Sequence, residues 1–357
     1  MKIVQLLPNM AFGDAISNNA IVIRNIIRSM GYPTEIYADI IDAKIKTESI
    51  FSFDHMFLSP NDVLIYHLST GSRLNYLVEK FHCKKMMIYH NITPFSYFIG
   101  FSNQAYHNTK AGLKEVKYLR DKFDYCIADS EFNKQDLIDY AYTCAIDVLP
   151  IAIPFLDYEK KPSNKIIRKY SDGIVNLLFV GRVAPNKKHE DIIAMFYHYN
   201  KKYNPYSRLI FVGHWYGMEK YYEQLCEYIE ALHLRNVVFT GHVEFDEILA
   251  YYKLADVFLC ASEHEGFCVP LVEAMFFDVP IVAYPHAAVP GTLGQGGVLL
   301  DQISPLLGAG VINALMTEKD FRNHVVTKQQ ERLSDFRFEV VKSQFVQYLS
   351  RFLERTV

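Results

Sequence analysis

The 357-residue chain lacks the marks of several common protein classes. Its six cysteines (Cys83, Cys126, Cys144, Cys226, Cys260 and Cys268) form no Cys-x-x-Cys pair and no dense spacing, which excludes a disulfide scaffold. Several sit in apolar runs and read as reduced core residues of a cytosolic protein. No stretch reaches the roughly 20 apolar residues of a membrane-spanning helix. The opening run, residues 1–7, is too short for the apolar part of a signal peptide. The expectation is a soluble, cytoplasmic protein, at most peripheral on the inner face of a membrane. The net charge of −3 is too mild to argue for a nucleic-acid partner. Gly-x-x-x-x-Gly-Lys-[Ser/Thr], His-Glu-x-x-His and Gly-x-Ser-x-Gly are all absent. Gly308-Ala309-Gly310 runs on into Val-Ile-Asn and lacks the third glycine of a dinucleotide fingerprint.

What the chain does have is apolar substance. Half its residues are hydrophobic and 14% are aromatic, enough for the cores of two domains. Apolar runs at 2–8, 34–38, 62–68, 85–90, 123–128 and 145–149 read as buried parallel strands, with helical patterns between most of them. The first of these helices covers 17–30 and is capped by Gly31. Pro150 and Pro154 precede a polar, Lys-rich stretch, 158–172, that reads as a linker. A second alternation follows, with strands at 175–181, 208–212, 237–240, 257–260 and 280–284 and helices at 189–203, 218–232, 244–254 and 270–277. Phe338, Val341, Phe345, Leu349 and Phe352 mark an amphipathic terminal helix. The pattern predicts two Rossmann-like α/β domains, 1–154 and 155–335, and a terminal helical segment, 336–357, with a cleft at the strand C-termini.

The richest stretch is Ser262-Glu263-His264-Glu265-Gly266-Phe267-Cys268-Val269-Pro270-Leu271-Val272-Glu273. It joins a buried strand to a helix with Pro in its first turn, a combination that suits a phosphate because backbone N–H groups and the helix dipole point at it. Glu265 and Glu273 can accept hydrogen bonds from sugar hydroxyls; the plainer reading is a surface carboxylate and a favourable helix-terminal charge. Upstream, Gly181-Arg182 and Lys187 leave another strand end, and two cations there can neutralise a diphosphate. Backbone near Val243, after Gly241, can meet a base, or form an ordinary turn. In the first half, His90 and His67 each end a strand, as structural hydrogen-bonders or as groups facing a ligand. Gly13-Asp14 fills the first strand–helix loop, where Asp14 binds hydroxyls or caps the helix. Phe95, Tyr97, Phe98, Phe101 and Tyr106 precede Lys110, Lys114, Lys117, Arg120 and Lys122. That segment, 95–122, is either a core cluster beside a solvated face or a surface for an anionic membrane or lipid-linked acceptor.

Gly181-Arg182 with Lys187, the Gly-ended strands at 213 and 241, and the Glu265-Gly266-Phe267…Glu273-Ala274 signature resemble the family-four retaining glycosyltransferases of GT-B fold, the group 1 type. The likeness is densest over 174–300. In the first half it rests on the Gly13-Asp14 loop, His90, the run 128–132 and Leu149-Pro150-Ile151. Gly291 departs from it, standing where many relatives carry another Glu. The resemblance implies a hexosyltransferase, retaining and metal-independent, since no Asp-x-Asp is present. It would move a hexose from a UDP-hexose or GDP-mannose to a saccharide or lipid-linked acceptor in surface-polysaccharide or glycolipid assembly, with the nucleotide sugar as co-substrate and no cofactor. Arg182 and Lys187 would hold the diphosphate, and Glu273 the ribose. Glu265 and the backbone of Gly266, Phe267, Cys268 and Val269 would contact the donor sugar and phosphate. His90 would approach the sugar, Gly13 and Asp14 would lie near the phosphates, and the terminal helix would return to the first domain. A nucleotide-sugar epimerase or hydrolase, or a non-catalytic binding protein, would use the same donor site.

Overall fold

The computed structural model describes residues 1–45 and 49–354, which form two compact units. The first comprises residues 1–96, 105–154 and 336–357, and the second comprises 97–104 and 155–335. Residues 97–104, expected in the first domain, thus group with the second unit.

The first unit is built on strands β1 (Ile3–Met10), β2 (Thr34–Ile41), β3 (Ile50–Ser52), β4 (Val63–Leu68), β5 (Lys84–Tyr89), β6 (Tyr125–Ala128) and β7 (Ala145–Val148). They form one parallel sheet in the order β3-β2-β1-β4-β5-β6-β7. Its helices are α1 (Ala15–Ser29), α2 (Leu74–Leu77), α3 (Asn103–Tyr118) and α4 (Glu131–Asp139). The central strands are buried on both faces, and successive residues feed two cores. Ile3, Ile65, Ile88 and Ile127 face one way, and Val4, Leu64, Met87 and Cys126 the other.

The second unit contains β8 (Val175–Val180), β9 (Ser207–Val212), β10 (Val237–Phe239), β11 (Val257–Cys260), β12 (Ile281–Ala283) and β13 (Val298–Leu299). The order is β10-β9-β8-β11-β12-β13, again parallel. Counted from its own first strand, each sheet therefore opens 3-2-1-4, the Rossmann arrangement. The order reverses between β1 and β4 in one unit and between β8 and β11 in the other. Ligands of such sheets bind at that switch point, outside the strand C-termini.

Helices α5 (Phe155–Tyr158), α6 (Asn164–Tyr170), α7 (His189–Lys202), α8 (Glu219–Ala231), α9 (Phe245–Leu254), α10 (Val269–Phe276), α11 (Val289–Leu293), α12 (Pro305–Thr317) and α13 (Lys319–Leu333) complete the second unit. The stretch 158–172 is not the linker its polarity suggested: Tyr158, Ile166 and Tyr170 are buried, and α6 packs against α9. Lysines solvate one side of this segment while three apolar anchors hold the other. Gly308, in the run that failed as a fingerprint, lies inside α12, where a Cβ would sit 2.6 Å from Met195 Sδ of α7. The glycine is there to let two helices approach closely. The last helix, α14 (Phe338–Glu354), belongs to the first unit, burying Val341, Phe345, Leu349 and Phe352 in a sheet core. Full burial of each such side chain contributes about 1.5–3 kcal/mol. Lys84 Nζ donates to the carbonyls of Phe352 and Leu353 at 3.2 and 3.0 Å, closing that helix's C-terminus with a cation.

Candidate functional site

The loops after β8 and β11, at the switch point of the second sheet, hold the sequence-predicted cluster. Gly181 follows β8 with φ 151°, donating its N–H to Val212, and Val183 N–H reaches the carbonyl of His214. Gly213 (φ 147°) lies so close that a Cβ would be 2.0 Å from the Gly181 oxygen, and it bridges to Gly241. Three Gly-ended strands thus run side by side, with the Phe179 ring against Gly181 and the Trp215 ring against Gly241. Arg182 leaves this sheet edge exposed to solvent. Burial, followed by the nearby charges of Arg182 and His242, lowers the pKa of His214.

The chain then makes a short turn, Pro185–Lys187, ending in Lys188 at a left-handed φ of 52°. Asn186 clips this turn to the β11 loop, its Nδ2 donating to His264 O at 3.0 Å and its carbonyl accepting from Glu263 N at 2.9 Å. Lys187 Nζ meets Glu265 Oε1 at 2.5 Å, with the side chains only 19% and 11% exposed. Burial works against the lysine's charge, but Glu265, together with Cys268 and Cys260, outweighs it and the Lys187 pKa is raised. Cys268, at φ 71°, turns the chain into α10, with Pro270 in the first turn. A hydrogen bond between the Cys260 and Cys268 thiols lowers the first pKa and raises the second. The structure thus brings Lys187, Glu265 and the head of α10 together.

Glu273, on α10, is a separate node. Its two carboxylate oxygens accept from Tyr158 and Tyr252, each at 2.7 Å. Burial raises its pKa, and the two hydroxyls hold it back. Neither tyrosine, nor Asn186, was legible as a site residue, because each lies far from its partner in sequence. Val243 is half-buried, one residue before the capping box of α9 that Glu244 forms with Glu247.

In the first unit, Gly13 (φ 76°) is exposed and Asp14 caps α1, accepting from the Ser17 N–H and hydroxyl at 3.0 Å each. His90 corrects the expectation that it meets a sugar: its side chain is 1% exposed and both ring nitrogens are engaged. Gln5 Nε2 donates to Ala20 O, so Gln5 Oε1 must accept from His67 Nε2. His67, whose pKa burial and then His90 push well down, is neutral and accepts at Nδ1 from His90 Nε2. His90 Nδ1 then shares the remaining proton with Asp129 Oδ2 at 2.7 Å. No ring nitrogen is left for a ligand.

The aromatic segment is also less open than expected. Phe98 is buried, Phe95 and Tyr106 pack edge to face with Lys110 over both rings, and Tyr97 and Phe101 lie against His264 and Tyr221. Aromatic rings found each other before they found solvent. Lys114, Lys117 and Arg120 remain exposed. Among the described residues no helix is long and apolar enough to cross a membrane.

Residues 162–332 match the family described as Glycosyl transferases group 1. Two curated relatives share one name, alpha-monoglucosyldiacylglycerol synthase. That of Acholeplasma laidlawii is 34% identical over 257 residues, 65% of this chain and 59% of its own. That of Streptococcus pneumoniae is 25% identical over 233 residues, 61% of this chain and 52% of its own. The chain spans about half the length of such curated relatives, 52% and 48% in two cases. Among solved structures, sucrose-phosphate synthase (tll1590) from Thermosynechococcus elongatus superposes with a TM-score of 0.79 at 14% identity, over 100% of both chains. Anabaena Alr3699/HepE in complex with UDP-glucose gives 0.75 at 16% identity, over 98% of this chain and 100% of that one. The chain thus has a GT-B fold of two parallel Rossmann-like sheets, and its second unit, from 162 to 332, is similar to the group 1 glycosyl transferases.

Proposed function

We propose that the chain is a retaining hexosyltransferase that moves a hexose from a nucleotide-diphosphate sugar, a UDP-hexose or GDP-mannose, to a lipid-linked or saccharide acceptor. One observation carries the reading: Lys187 and Glu265 are held in contact beside the head of α10, at the switch point of the second sheet. Leaving-group departure in glycosyl transfer creates positive charge on the sugar and negative charge on the diphosphate. Arg182, Lys187 and the α10 N-terminus receive the diphosphate charge. Glu265 holds the sugar and orients Lys187, while Glu273 takes the ribose hydroxyls; neither carboxylate acts as general acid or base. The role of His90 is architectural. These cationic and dipolar groups carry the leaving-group charge, so no metal is assigned a role. The glycolipid-synthase relatives and the UDP-glucose-bound neighbour support this donor and acceptor class. The exposed cations of the segment 95–122 would serve peripheral contact with an anionic membrane on its inner face.

The test is a turnover assay with UDP-glucose, UDP-galactose and GDP-mannose, with and without diacylglycerol or oligosaccharide acceptors. A glycosylated acceptor with the anomeric configuration of the donor is expected. An isomerised donor, hydrolysis indifferent to acceptor, or binding without turnover would overturn the proposal.

A further inference from the structure

We propose that Tyr158 and Tyr252 are positioning residues that fix the Glu273 carboxylate as a rigid acceptor for a ribose diol; the inference rests on the ribose role given to Glu273 above. The three side chains come from three helices: Tyr158 ends α5, Tyr252 lies near the end of α9, and Glu273 is on α10. Each hydroxyl donates to a different carboxylate oxygen at 2.7 Å. The rings are locked. Tyr252 stacks on Phe277 at 5.3 Å and 4°, and Tyr158 packs on Phe245, Phe276 and Phe277 at 5.6, 5.6 and 6.1 Å.

Two features set this arrangement apart from ordinary satisfaction of a buried acid. The tyrosines are 5% and 0% exposed, whereas Glu273 is half-buried, so the hydroxyls approach from inside the unit. A carboxylate oxygen carries two acceptor sites, so one tyrosine on each leaves one site on each oxygen. Two parallel acceptor sites on a plane that cannot rotate match two neighbouring hydroxyls. Without the tyrosines the carboxylate would have to be ordered by the ligand, at the expense of affinity. Both tyrosines are held protonated, burial first and Glu273 second, and so remain donors. Neither was singled out by the sequence, since Tyr158 opens the segment that looked like a linker.

The experiment compares binding of UDP and 2′-deoxy-UDP, with the GDP and ADP pairs alongside, by calorimetry. The wild-type chain should prefer the ribonucleotide about tenfold, the worth of one good hydrogen bond to a charged group. Tyr158→Phe and Tyr252→Phe should each reduce that ratio about threefold and together erase it, with 2′-deoxynucleotide affinity unchanged within about twofold. A merely structural role would weaken both nucleotides in parallel and leave the ratio intact, which overturns the inference. Glu273→Gln separates the two readings. If it collapses the ratio and the tyrosine variants do not, positioning fails while the donor site stands. If no nucleotide binds the wild type, or the ratio survives Glu273→Gln, the ribose assignment itself fails.

Discussion

Lys187 and Glu265 neutralise each other, so their substitutions should act in opposite directions on an anion. Unit charges about 4 Å apart at an effective dielectric near 20 interact by about 4 kcal/mol, and partial exposure cuts this to about 1 kcal/mol. Glu265→Gln should therefore tighten UDP about fivefold while lowering transfer from a UDP-sugar, and Lys187→Ala should weaken UDP at least about tenfold. Calorimetry with UDP and turnover on the same preparations check this; weaker UDP binding in Glu265→Gln would contradict it. The Glu265/Glu273 spacing and the Lys187 loop were legible because each lies on a few consecutive residues. His90 was not, because it is held by His67 of β4 and by Asp129 just after β6, and Gln5 of β1 holds His67 in turn. His90→Ala should cost about 3 kcal/mol of stability, the penalty for stranding the buried partners of a hydrogen-bonded charge, and change UDP affinity less than about twofold. Full stability with slow turnover would return His90 to the sugar.

Among the elements, the ends of β8, β9 and β10 constrain the site most, and they do it through glycine. A Cβ on Gly213 would overlap the Gly181 carbonyl at 2.0 Å, backbone against backbone, whereas one on Gly241 meets only the Trp215 ring at 3.6 Å. Both glycines have positive φ, 147° and 72°. Gly241→Ala should therefore cost about 1 kcal/mol, the strain of a left-handed alanine. Gly213→Ala should cost more than about 3 kcal/mol, since strand ends must separate. Urea denaturation of the two variants measures the gap, and equal losses would refute the packing argument. These strands showed in the sequence as apolar runs halted by glycine. The edge strands β3 and β13 did not, being three and two residues long with no pattern to read. Nor did α12, whose apolar residues and glycines run almost all the way round and give no stripe.

At the scale of the whole molecule, the alternation of strands and helices announced two α/β halves, but not the strand order, which depends on pairings between distant segments. Burial inside both halves also carries a consequence for pH. His67 lies in the first unit and His189 and His264 in the second. Burial holds His67 well below its ordinary range, His189 down to about 3 and His264 down to about 4. Below about pH 6.5 the unfolded chain protonates these histidines while the folded chain does not, so each lowers stability by up to about 1.4 kcal/mol per pH unit as acid is added. Asp129 and Glu273, raised by burial, act with the opposite sign, because there the folded chain binds the extra proton. Comparing the wild type with a single variant cancels the carboxyls. His189 suits this purpose: it is fully buried, both ring nitrogens lack a hydrogen-bond partner, and Phe179, Phe211 and Tyr221 surround it. Its backbone N–H donates to Tyr221, a contact that a side-chain substitution keeps. His189→Leu should match the wild type within about 1 kcal/mol at pH 7.5, since an apolar side chain suits an apolar site. Its advantage should then grow by about 1.4 kcal/mol for each pH unit between 6 and 4. Urea denaturation across that range reads the difference directly, and a pH-independent gap would show that His189 does not remain neutral in the folded chain.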